Sequence, residues 1–136
     1  MSAAVDTAIR TKLAAITNVS TLAPGGVWNA VRPQGSQFPV IVYQLVSDMG
    51  NAQTYADGGV ERLVYDVRVI APIDKQASVG GLVDSVHDAL ERVALSVTGK
   101  THLATLRQRR LPVMMEVSGG VTYLTRGATY EVTVTA

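Results

Sequence analysis

Apolar residues recur at helical spacing near the start of the chain: Val5, Ala8, Ile9, Leu13 and Ile16 share one side, while Asp6, Arg10 and Lys12 fall mostly on the other. This predicts an amphipathic helix, with Ser2 placed to cap its start. Residues 17–26 are rich in turn formers and end on Pro24-Gly25-Gly26. A short strand is then expected over residues 27–31, with Pro33-Gln34-Gly35-Ser36 as the turn after it. Residues 38–47 are almost continuously apolar and β-branched, the pattern of a strand covered on both faces. Residues 48–59 hold three glycines and small polar side chains, which predicts a mobile excursion.

Strict alternation follows over residues 60–71. Leu63, Tyr65, Val67 and Val69 face one way, Arg62, Asp66 and Arg68 the other, so this is a strand with one wet face. Pro72 ends it, and Asp74 or Ser78 can cap the strongest helix of the chain. That helix carries Val79, Leu82, Val83, Val86, Leu90, Val93, Ala94 and Val97 on one stripe. Asp84, Asp88, Glu91 and Arg92 lie mainly opposite, and Thr98-Gly99 is a natural stop. Gly80-Gly81 is unusual, because glycine costs about 1 kcal/mol inside a helix. It implies a loose first turn or a close approach to the sheet. Residues 103–117 predict a strand broken or bulged at Pro112, Ser118-Gly119-Gly120 a turn, and residues 121–135 the last strand, with Tyr130, Val132 and Val134 on one side. The order α-β-β-β-α-β-β predicts an α+β fold: a largely antiparallel or mixed sheet of about five strands, with two helices packed on one face.

Composition narrows the function more than the fold. A chain of 136 residues fits one domain spanning residues 1–136. The sequence contains no cysteine, which excludes disulfides, thiolate metal sites and thiol nucleophiles. A formal charge of +1 supplies no broad field for nucleic acid or acidic membrane. Met1-Ser2-Ala3-Ala4-Val5-Asp6 lacks the order of a signal peptide, and no apolar run approaches the ~20 residues that span a bilayer. A soluble protein with no membrane partner is expected.

Candidate chemistry is sparse. Thr98-Gly99-Lys100-Thr101 ends like a phosphate-binding P-loop, but Ala94 stands where the first glycine belongs and the segment leaves a helix instead of opening one. It reads as a helix C-cap with Lys100 near the negative dipole end. His87 and His102 sit on different elements, and His87 flanks Asp84 and Asp88 on the wet face of a helix, so no metal site is expected. Asp48, Asp57, Glu61 and Asp66 lie in a loop or on an alternating strand with no pocket signal around them. No Gly-x-Ser-x-Gly elbow occurs. Arg107, Arg109 and Arg110 form the one basic cluster. Alternation sends Arg107 and Arg109 to one face and Arg110 to the other, and no aromatic residue lies among them to stack on bases. A solvated strand face or subunit contact is the expectation, without specific nucleic acid. Catalytic, cofactor-binding and metal-ligating residues are therefore none, with no cofactor and no enzyme activity.

The stretch Val27-Trp28-Asn29-Ala30-Val31-Arg32-Pro33-Gln34-Gly35-Ser36-Gln37-Phe38-Pro39-Val40-Ile41-Val42 resembles the tail-completion, or tail-terminator, proteins of long-tailed bacteriophages and prophages. It shows a short strand, a Pro-x-Gly turn, and an aromatic-Pro pair opening a long apolar strand. The N-terminal helix, the alternating strand before the amphipathic helix and the closing hairpin at Gly119-Gly120 extend the likeness over nearly the whole chain. Residues 48–59 and Gly80-Gly81 have no counterpart in it. The resemblance implies a structural virion protein that forms a ring, often a hexamer, on the end of the tail tube. Such a ring ends tail growth and joins tail to head. Its implied partners are copies of itself, the tail tube protein and head–tail connector proteins; its implied places are the virion tail and the host cytoplasm during assembly. Another connector or minor tail subunit is the alternative, followed by a small-ligand or nucleic-acid binding module.

Overall fold

The computed structural model describes residues 3–16, 19–31, 37–48 and 60–135. The Ser2 cap, the turn at residues 33–36 and residues 49–59 of the expected excursion lie outside the described residues. The chain opens with helix α1 (Ala3–Ala14), which buries Val5, Ala8, Ile9 and Leu13 on the predicted stripe. A short helix α2 (Val19–Leu22) leads into β1 (Val27–Asn29), β2 (Val40–Asp48) and β3 (Val60–Pro72). A 3-10 turn over Ile73–Ser78 opens helix α3 (Val79–Leu90), followed by β4 (Thr101–Arg110), β5 (Met114–Ser118) and β6 (Val121–Thr135).

Among the described residues, six strands form one mixed sheet in the order β1-β2-β3-β6-β4, with β5 also paired to β6. The β1–β2 pair is parallel, and the remaining pairs are antiparallel. The expected α+β architecture is present. The extra strand arises because the ladder lapses at Pro112, which has no N–H to donate, after a last bond from the Leu111 N–H to the Gly127 carbonyl; β4 pairs with the last half of β6 and β5 with its first half.

Helices α1 and α3 share one face of the sheet. Ile9 and Leu13 join Leu82, Val86 and Leu90 in a single core with Leu63, Tyr65 and Val132. The Tyr65 hydroxyl donates to the Asp6 carboxylate, which ties α1 to β3, and burial pushes its pKa upward. Gly25 and Gly127 mark two close backbone approaches: an added Cβ would stand 2.1 Å from the Gln37 and Val67 carbonyl oxygens respectively.

Four local expectations are corrected. Helix α3 ends at Leu90, not at residue 97. Arg92 turns left-handed at φ 57° and donates its N–H to the Thr105 carbonyl at 2.8 Å, diverting the chain into β4. Beyond it, Leu95 and Val97 are buried by alternation, so a strand-like period coincides with the helical stripe. The second half of β2 is mostly exposed, with a register shift between Leu45 and Ser47, and among the described residues neither helix nor strand covers Val46. Gly80 and Gly81 lie in the first turn of α3, where an added Cβ would meet nothing within 4 Å, so the close-approach reading fails. Asp74 lies inside the 3-10 turn that precedes α3, so it does not stand at the start of that helix.

Candidate functional site

Strand β6 presents Val134, Val132, Tyr130, Ala128, Arg126 and Leu124 to the helix layer, since these pair with the inward residues of β3. An arginine at a core-facing position is anomalous on its own. Strand β4 makes the anomaly larger. Two register shifts, between His102 and Ala104 and between Arg107 and Arg109, set His102, Thr105, Arg107 and Arg110 opposite Val134, Val132, Tyr130 and Ala128. Each bulge inserts one residue and resets the alternation. Arg107 and Arg110 therefore share the helix side, and Arg109, opposite Thr129, points the other way. The expected split of the cluster is overturned by the bulge at Gln108.

Arg107, Arg110 and Arg126 line one cavity of ≈ 290 Å³ between α3 and the sheet, with His87, Tyr130 and Asp84 in its wall. His87 is half-buried there, its Nδ1 3.3 Å from the Tyr130 hydroxyl, which corrects its expected place on a wet face. Burial pushes Tyr130 up to about 12, so its hydroxyl keeps its proton at neutral pH. Asp84 remains exposed at the rim.

The other candidates serve structure. Lys100 lies past a turn closed by Gly99 at φ 76°, not at a helix end, and its Nζ donates to Glu61 Oε1 at 2.6 Å. That bond, first among the causes, lowers the Glu61 pKa. The P-loop reading fails again, because β4 follows. His102 accepts the Leu95 N–H at Nδ1 (3.2 Å), which leaves the proton on Nε2 to donate to Thr105 Oγ1 at 2.7 Å. Burial lowers its pKa. Asp66 pairs with Arg68 at 2.8 Å on the outward face; Asp48 ends β2, and Asp57 lies outside the described residues. Among the described residues, no three histidine or carboxylate side chains gather closely enough to hold a metal ion. No helix among them is long and apolar enough to cross a membrane.

The second feature is an edge. Strand β1 closes one side of the sheet with three residues, and β4 with β5 closes the other. All five residues of β5 are exposed. Met115 is 70% and Val117 66% exposed, with Val113, Met114 and Val121 around them. No lysine or arginine stands on β5. Exposed edges of soluble proteins usually carry such charges.

A family model described as tail completion protein gp17 matches residues 7–134. The fold is similar to a chain in a solved "virion of native gene transfer agent (GTA) particle", with TM-score 0.68 and 17% identity over 97% of this chain and 95% of that one. A second solved structure matches with TM-score 0.55 and 16% identity, over 95% of this chain and 93% of that one. The sequence has no match among curated proteins. Since the family model spans nearly the whole chain, this protein belongs to the tail completion family and is a structural protein of the phage tail.

Proposed function

We propose that copies of this chain close into a ring, a hexamer, on the end of the tail tube, where the ring stops tube growth and offers the surface that joins tail to head. Family membership carries the tail assignment. The observation that supports self-association is the β4–β5 edge. The segment after α3 engages β4 through the Thr105 carbonyl and the Arg107 N–H, but among the described residues β5 has no strand on its outer side and exposes Met115 and Val117. The β1 edge lies at the opposite side of the sheet. One edge region meeting the other on the next copy is a head-to-tail contact, which makes a ring when its rotation closes. The work of the protein is binding: copies of itself, the tube protein below and connector proteins above. It acts in the virion tail after assembly in the host cytoplasm, with no reaction and no cofactor.

Deleting the gene from its parent phage tests this reading. Electron micrographs should show tails of uncontrolled length, or finished tails without heads. Tails of normal length joined to heads would contradict it.

A further inference from the structure

Among the described residues, the three arginines have no side-chain partner that would explain their meeting. Arg107 and Arg126 are half-buried, and the Arg126 Nε is buried with no hydrogen-bond acceptor. Among the described residues, no carboxylate pairs with the guanidinium of Arg107, Arg110 or Arg126. Glu91 and Asp88 are near enough for their charges to act on Tyr130, but Glu91 accepts the backbone N–H of Arg107 at 2.6 Å and neither carboxylate lines the cavity. Asp84 alone sets a negative charge in the lining against three positive ones. Arginine stays charged throughout the accessible pH range, so the cavity cannot relieve this repulsion by losing a proton. Leaving a buried N–H without an acceptor adds a desolvation cost. An incoming anion removes both costs.

We infer that this cavity binds the carboxylate of an acidic side chain presented by another protein chain, with flanking apolar residues of that segment resting on Val83, Leu111 and Val113. A carboxylate matches the planar fork of a guanidinium with two parallel hydrogen bonds. The apolar part of the lining suits a peptide segment better than a free ion, which would leave that surface wet. A nucleic-acid backbone fits poorly, because it needs a basic stripe along a surface and the charge here is confined to one recess of a chain with net charge +1. The break in the edge strand at residues 111–113 opens the cavity beside the exposed β5 edge, where a partner chain can reach it. The inference does not depend on ring closure, since the cavity is complete within one chain.

The test uses the isolated full chain and NMR of the arginine Nε–H groups. The probes are a peptide with one glutamate between leucines, acetylated at its N-terminus and amidated at its C-terminus, its glutamine twin with the same ends, and inorganic phosphate. The glutamate peptide should shift the Arg126 Nε–H with saturation below about 10 mM. The glutamine twin and phosphate should bind at least about tenfold more weakly. Arg110→Gln, at an exposed position, should weaken the glutamate peptide about tenfold while the backbone spectrum stays folded. Arg126→Lys, which keeps the charge but loses the fork, should do the same. Equal binding of the two peptides, phosphate binding as tightly as the glutamate peptide, or no shift of any arginine Nε–H would each overturn the inference.

Discussion

His102 on β4 holds the segment after α3 by accepting the Leu95 N–H at Nδ1, and its Nε2 donates to Thr105 of the same strand. That arrangement requires a neutral ring, and burial holds the pKa below its ordinary 6.5. With the folded value depressed, the unfolded chain takes up the proton first. The contribution is therefore complete above about pH 6.5 and lost as pH falls through the lowered folded value. His102→Asn should be less stable than the parent in urea at neutral pH, and the gap should shrink in mild acid. A gap of equal size at both pH values would show that the ring's protonation is not linked to folding. At this scale the sequence exposes types but not partners. Arg126 shares the parity of Tyr130, Val132 and Val134, so its core-facing position was readable from strand alternation. Its company was not. Whether Arg107 faces Arg109 or Arg110 depends on a single inserted residue at Gln108, and no side-chain pattern announces a bulge.

At the scale of elements, α1, β3, α3 and β6 were legible because each has one dominant period and one buried face. The misjudged boundaries are those where two periods overlap. Val93 and Val97 continue the helical stripe of α3, yet Leu95 and Val97 are buried from an extended segment. The stop itself is Arg92 in a left-handed conformation, a position where glycine would have been the readable sign. Leu90 is the last helical residue of the stripe and only 1% exposed, packed in the core shared with the sheet. Leu90→Ala should cost about 2–5 kcal/mol in denaturant unfolding. We propose that the chain unfolds as one domain, so the variant should shift a single transition. A cost below about 0.5 kcal/mol, or two separated transitions, would contradict that packing.

At the scale of the whole molecule, the family was readable from soft features: the strand–turn–Phe38-Pro39 order and the succession of elements. The proposed contact surface was less so, because exposure of Met115 and Val117 follows from where β5 lies in the sheet, not from their hydropathy. We propose that self-association is concentrated at the β5 edge, where unpaired backbone groups invite another chain. The most direct measurement is electron cryomicroscopy of the tail end in the parent phage. A closed hexameric ring of this chain is expected at the head-proximal end of the tube, with β5 of each copy buried against its neighbour. A single copy, an open filament, or a ring in which Met115 and Val117 face solvent would contradict it.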